Sequence, residues 1–447
     1  MREVKVQESL LKQSLPLSLI MASRFFGLFI VMPVLSLYAL SLENTSPILV
    51  GIVMGGYALT QVLFQVPFGI LSDKFGRKGI IALGLVIFAL GSLICALSDN
   101  IYLLILGRLL QGAGAVGGVV SAMIADLVKE ERRTKAMALM GATISLSFTA
   151  ALILGPILAS SFGVASLFLI TFILAIVALF IIFFLVPNAP KITYNFDHHA
   201  KDYQSILKNK NLQIMNLSNF LQKGLMTLAL LMIPIALVKG FSMPEANLWQ
   251  VYVPASILGF LSMAPAAIMA EKKGYFKGVM VVGILLFAFA YLSMMCPSKW
   301  VFILGVLVFF IGFSVHEPIM QSLASRYCKA HLKGSAMGVF TTFGYFGSFV
   351  GALLGGHLYY FFGLVSIGIV VAITCALWVI LMYFLDSPIM HKMLYIPLDK
   401  NPNAEVLKDL NGILEYYINE SEKVLVIKYN KDSIKEEQIL TLLLPIR

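Results

Sequence analysis

The stretch Gly69-Ile70-Leu71-Ser72-Asp73-Lys74-Phe75-Gly76-Arg77-Lys78 packs a carboxylate, three cations and two glycines into ten residues. Long apolar segments with almost no charge flank it. The whole chain has 447 residues, of which 59% are hydrophobic and 13% charged. A soluble protein of this length has no means of hiding so much apolar surface. Spans of about 20 apolar residues, enough to cross a hydrocarbon core of about 30 Å, recur along the sequence. They are continuously apolar rather than alternating, which excludes a β-barrel. The fold expected is an all-α polytopic membrane protein.

Twelve spans are expected, at about 14–40, 47–72, 79–98, 101–127, 136–160, 164–187, 212–238, 246–270, 277–296, 300–325, 335–361 and 364–385. The first follows a short polar leader without a small-residue cleavage site, so it is expected to be retained rather than cleaved as a signal peptide. With the N-terminus inside, the short inner loops carry Lys74, Arg77 and Lys78; Lys129, Arg132, Arg133 and Lys135; Lys191, Lys201, Lys208 and Lys210; Lys272, Lys273 and Lys277; and Arg326, Lys329 and Lys333. The outer loops carry Lys239 and Lys299. This asymmetry predicts cytoplasmic N- and C-termini. It also accounts for much of the +10 net charge without a nucleic-acid partner.

The chain repeats itself. "GILSDKFG" (69–76) aligns with "AIMAEKKG" (267–274), and "ILGR" (105–108) with "ILGV" (303–306), both at an offset of 198 residues. Two matches at one offset predict two pseudo-symmetric six-helix bundles, with a substrate site at their interface near the midplane. The expected domains are 1–189 (first bundle), 190–211 (cytoplasmic linker), 212–388 (second bundle) and 389–447 (a cytoplasmic tail). In the tail, "LYIPL", "NAEVLKDL", "ILEYYIN", "KVLVIKYN" and "IKEEQILTLL" read as strand, helix, strand, strand and helix. That order predicts a small α+β, ferredoxin-like βαββα domain. The four cysteines, Cys95, Cys296, Cys328 and Cys375, have no metal or redox spacing and read as packing residues. No metal, cofactor or enzyme motif is evident.

Gly69, Leu71, Asp73, Gly76, Arg77 and Lys78 resemble the signature between the second and third spans of the major facilitator superfamily. "LGRLLQGAGA" (106–115) is similar to its fourth-span signature at Arg108, Gln111 and Gly112. "ALILGPILAS" (151–160) is similar to the fifth-span antiporter signature at Gly155 and Pro156, with alanine and serine in place of its other glycines. The similarity covers nearly all of residues 14–388. It implies the twelve-span drug:proton antiporter branch, and the small tail makes the chain look most like the YajR-type transporters. It further implies that Asp73 docks on the start of the eleventh span, near Ser335, as a conformational latch. A carboxylate suits the positive end of a helix there. Arg77 is implied to pair with Asp126, and Arg108 to take part in proton coupling.

Ionisable residues inside spans are costly and mark function. Arg24 lies in the first span, Lys223 in the seventh, and His316 and Glu317 in the tenth. A carboxylate balanced between burial, which favours its neutral form, and a nearby cation, which favours its charged form, exchanges a proton near physiological pH. Glu317 is the expected proton carrier, with His316 and Lys223 as its partners. Gln61, Gln65 and Tyr57 are candidates for lining the cavity. Gly347, Gly351 and Gly355 form a stripe that predicts close helix packing. The expected function is proton-coupled efflux of drugs or other amphipathic small molecules by rocking of the two halves, in a bacterial inner membrane. A sugar or metabolite exporter, and a sensor built on a transporter scaffold, are the alternatives. Protons, a small-molecule substrate and the lipid bilayer are the expected partners. A monomer is expected, with self-association through the tail left open.

Overall fold

The computed structural model describes residues 10–128, 130–187, 206–328, 333–386, 391–400, 406–407, 410–419, 424–430 and 433–443. Its first half comprises α1 (Leu10–Ile30), α2 (Met32–Ser41), α3 (Pro47–Phe75), α4 (Arg77–Ala96), α5 (Ile101–Ala113), α6 (Gly117–Leu127), α7 (Glu130–Phe162) and α8 (Val164–Phe184). The second comprises α9 (Lys210–Ile235), α10 (Trp249–Ala267), α11 (Phe276–Met294), α12 (Lys299–Tyr327) and α13 (Lys333–Tyr383). Among the described residues, ten helices are long and apolar enough to cross a membrane, or eleven if the bent pair α1–α2 is one span. α1 and α2 meet at 41°, with a proline in the first turn of α2. Proline lacks the N–H that would continue the ladder. α13 runs for 51 residues but contains Gly363 at φ 70°, ψ −174°, a conformation closed to other residues without strain.

Polar caps start several helices. Ser46 Oγ accepts from Leu49 N at 3.3 Å, Asn100 Oδ1 from Leu103 N at 2.9 Å, and Asn209 Oδ1 from Leu212 N at 3.2 Å. Each satisfies a backbone donor that has no partner within its helix. The two halves echo each other in such details. Positive-φ glycines recur at Gly76 and Gly274, and at Gly163 and Gly363. Lys78 Nζ donates to Phe183 O (3.1 Å) at the end of α8, and Lys277 Nζ to Tyr383 O (3.1 Å) at the end of α13.

The halves meet at one end of the bundle. Cβ atoms added at Gly51 and Gly55 would lie 2.8 Å from Ala352 O and Ala352 Cβ, and one at Gly356 would strike Pro47 O. α2 packs on α9, and α7 on α10. Midway along, Phe148 of α7 stacks on Phe313 of α12 at 6.0 Å. These contacts lie between the middle of the helices and the end that carries Pro47, remote from Asp73.

The glycine stripe packs α13 on α9 within the second half. Cβ atoms at Gly347, Gly351 and Gly355 would run into Phe220 O, Gly224 O and Leu228 Cδ1.

In the tail, β1 (His391–Pro397), β2 (Ile413–Asn419) and β3 (Val424–Asn430) form a three-stranded sheet in the order β1-β3-β2. Both pairings are antiparallel, so β1 and β2 run parallel on either side of β3. α14 (Glu436–Leu443) follows, and Ile439 and Leu443 join Leu425, Ile427 and Tyr429 in a small core. Of the expected first tail helix, only Val406, Leu407 and Leu410 are described; the rest lies outside the described residues.

Candidate functional site

The sequence-predicted residues fall into three groups. The first is the turn at residues 69–78. Gly76, at φ 93°, ends α3 and leads into α4. The turn brings Arg77 against three partners. It forms an ion pair with Asp73. Its Nε donates to Asp126 Oδ2 at 3.0 Å, and its Nη1 to Ser72 Oγ at 2.6 Å. Arg77 and Asp126 are largely buried, whereas the Asp73 side chain is 64% exposed. Asp73 therefore sits beside Arg77, and no ion pair joins it to the start of α13 among the described residues. A Cβ at Gly69 would meet nothing within 4 Å. The second half echoes the turn loosely, with Glu271 Oε1 3.9 Å from Arg326 and 3.2 Å from Ser322 Oγ.

The second group is a pair of buried arginines. Arg108 donates Nε to Val53 O at 3.2 Å, Nη1 to Gln111 Oε1 at 2.7 Å and Nη2 to Met32 Sδ at 3.7 Å. Its guanidinium lies 4.7 Å from the Tyr57 ring centroid. Gln111 Nε2 in turn donates to Ser92 Oγ at 2.9 Å. Gly112 has a packing role: a Cβ there would strike Tyr57 O and Thr60 Oγ1. Arg24 Nη2 donates to Gln61 Oε1, and Gln61 Nε2 to Gln65 Oε1 at 3.4 Å. Gln61 and Tyr57 thus serve the arginines. Gly155 lets α7 approach the end of α1, since a Cβ there would strike Ile30 O. Pro156 follows inside α7.

The third group is the pair expected in the second half. Lys223 of α9 places Nζ 2.8 Å from both carboxylate oxygens of Glu317 on α12. The side chains keep 28% and 22% of their exposure. Gln321 Nε2 donates to Glu317 Oε1 at 3.0 Å, and Lys223 Nζ lies 5.0 Å from the Phe313 ring centroid. The arrangement brings one carboxylate and one cation into direct contact, with part of each side chain still exposed.

His316 does not join this pair. It is fully buried on another face of α12, against Trp378 (5.0 Å) and Phe287 (5.9 Å). Neither ring nitrogen has a hydrogen-bond partner among the described residues. Sequence reading missed Tyr345 of α13, which reaches the neighbourhood of Arg24 from the other half. It also missed Gln321 and the Phe148–Phe313 stack. The one local signal was Gln321's position, a single turn after Glu317.

The sequence pattern of the Major Facilitator Superfamily matches residues 17–352 and, again, 215–395. The inner membrane transport protein YajR of Escherichia coli (strain K12) is 35% identical over 422 residues, 92% of each chain. The class B tetracycline resistance protein of Escherichia coli is 27% identical over 324 residues, covering 69% of this chain and 78% of that one. In fold, a crystal structure of a D-xylose-proton symporter superposes with a TM-score of 0.70 at 15% identity, covering 84% of this chain and 98% of that one. The long apolar helices, the paired halves and these similarities lead to one conclusion: the chain belongs to the Major Facilitator Superfamily, and is a multi-pass membrane transporter rather than an enzyme.

Proposed function

We propose that the protein is a proton-coupled exporter of amphipathic small molecules, working by alternating access in a bacterial inner membrane. The observation that carries this reading is the bidentate Lys223–Glu317 pair, set between α9 and α12 and only partly buried. Protonating Glu317 releases Lys223, and losing the proton restores the pair. A pair that exists in one protonation state and not in the other biases two conformations differently, as coupling requires. Similarity to a tetracycline resistance protein favours export and an amphipathic cargo.

Twelve crossings, with both termini cytoplasmic, fit this reading. Gly363 divides the 51 residues of α13 into two segments, each long enough to span. By sequence, most loop cations fall in the connections assigned to the side of Asp73. The halves touch at the opposite end, so the conformation is one open towards the cytoplasm. In it, Asp73 is exposed beside Arg77, and within the proposal is poised to engage the second half when that side closes. Gly69, Asp73, Gly76, Arg77, Lys78 and Asp126 would then form the latch.

For the tail, the order β1-β3-β2 with β1 parallel to β2 favours a split βαβ, ferredoxin-like domain. The reading takes the transporter as a monomer, with self-association through the tail left open. Reconstitution in liposomes with an imposed pH gradient, across amphipathic dyes, drugs and sugars, tests the function. Gradient-dependent accumulation is expected for dyes or drugs. Flux of none of them would overturn the reading.

A further inference from the structure

The two buried arginines of the first half have unequal surroundings. Every nitrogen of Arg108 capable of donating has an acceptor. Arg24 is 1% exposed; its Nη2 donates to Gln61, the Tyr345 phenol is a second hydrogen-bonding neighbour, and neither carries a charge. Its Nε and Nη1 have no hydrogen-bond acceptor within 3.5 Å among the described residues. Its neighbours are the Phe88 ring, at 5.6 Å, and the phenol groups of Tyr345 and Tyr57. No ion pair to Arg24 occurs among the described residues. An unbalanced cation at membrane depth is expensive and calls for a partner.

The internal repeat shows what is missing. At the repeat offset of 198 Arg24 falls on Gln222, one residue before Lys223, whose partner is Glu317. A Cβ at Gly84 would strike Val116, and one at Gly283 would lie 2.9 Å from His316. Val116 and His316 are thus equivalent in packing, and so are the residues after them, Gly117 and Glu317. A Cβ on Gly117 would meet only Met21 Cε, at 3.4 Å. Met21 lies three residues before Arg24, on the same face of α1. The first half therefore has a buried cation one position away from that of the second, and a glycine where the second half has the acid.

We infer that the transported molecule supplies this acid: it is an apolar organic compound bearing a carboxylate or comparable oxyanion, which docks on Arg24. The inference rests on the transport reading above and names its substrate class. An oxyanion that replaces Gln61 on Nη2 gains a second bond from Nε or Nη1, the two-point geometry that guanidinium offers. Gln61 and Gln65 continue from Arg24 along α3, towards a stretch where Leu63, Phe64 and Val66 are exposed. A polar track with apolar flanks suits an amphipathic anion. Tyr345 comes from the second half, so rocking of the halves covers and uncovers the guanidinium.

The test is equilibrium binding to the purified full-length protein in detergent. The probes are two amphipathic anions, carboxyfluorescein and cholate, and one cation, tetramethylrhodamine ethyl ester, which shares the xanthene core of the first. Arg24→Gln should weaken anion binding about 10- to 100-fold, the range for a charged hydrogen-bonded contact, and leave the cation unchanged. Arg24→Lys should retain part of it. Gly117→Glu should weaken anion binding with Arg24 intact, by placing a carboxylate where Glu317 stands in the other half; it decides the matter if Arg24→Gln does not fold. Anion affinities unchanged in both variants, or no binding of either anion to the unaltered protein, would overturn the inference. Binding needs no pH gradient, so this failure is distinct from an absence of gradient-driven flux, which would count against the transport reading.

Discussion

Lys223 and Glu317 come from different helices, 94 residues apart, and meet in a two-oxygen contact of 2.8 Å on each side. Gln321 holds one of those oxygens as well. The carboxylate is thus fixed in place while keeping a fifth of its exposure. For the proposed coupling, a fully buried pair would be too costly to break on every cycle, and a fully exposed one would be too weak to matter.

Lys223→Met should destabilise the protein moderately. Breaking a fully buried pair costs roughly 3–5 kcal/mol; partial exposure reduces this to about 1–2 kcal/mol. Thermal unfolding in detergent would register a small drop in Tm. Glu317→Gln, which keeps the shape and the contact to Gln321, should cost less than Lys223→Met. The reverse order would argue that the pair is not the dominant interaction of Glu317.

Asp73→Asn should leave stability within about 0.5 kcal/mol, because the side chain is 64% exposed. Its expected effect is kinetic. Transport should fall, since the proposed latch has the carboxylate act in the state closed on the Asp73 side. Cysteine accessibility on that side would show a larger open population. Full transport in Asp73→Asn would remove the latch.

Gly351→Leu should be severe. The added side chain would meet the backbone of Gly224 on α9, and backbone has little room to give. Overpacking costs about 1–3 kcal/mol in ordinary cores, and the upper end is expected here. Gly69→Ala, where a Cβ meets nothing within 4 Å, is its control: it should leave Tm nearly unchanged.

Lys428→Ala should loosen the tail from the bundle. Lys428 Nζ donates to Arg326 O (2.9 Å) and Cys328 O (3.2 Å), at the end of α12. A cation on terminal carbonyls also complements the helix dipole, worth about 0.3–1 kcal/mol at an exposed site. Hydrogen exchange at 326–328 should quicken, while Tm of the bundle stays put. Unchanged exchange there would show that the contact is not stabilising.

Much of this was legible in the sequence, for physical reasons. Charge is so rare in the spans that Arg24, Arg108, Lys223 and Glu317 stood out individually. The turn at Gly76 was legible because its chemistry is local. The direction of His316 was not: neighbours on a helix point about 100° apart, so adjacency to Glu317 said nothing of contact. The Phe148–Phe313 stack and the approach of Tyr345 to Arg24 join distant segments of chain, and no local pattern encodes them. The glycine stripe was legible as close packing, but its partner, α9 of its own half, is fixed by tertiary structure that the stripe itself does not encode.

The central claim is that Glu317 carries the coupling proton. Its most direct test is accumulation of amphipathic dyes in proteoliposomes with an acidic lumen, compared with liposomes at equal pH. The unaltered protein should accumulate dye against its gradient only when the lumen is acidic. Glu317→Gln should still equilibrate dye downhill but show no accumulation at any imposed gradient. Uphill accumulation by Glu317→Gln equal to that of the unaltered protein would contradict the account.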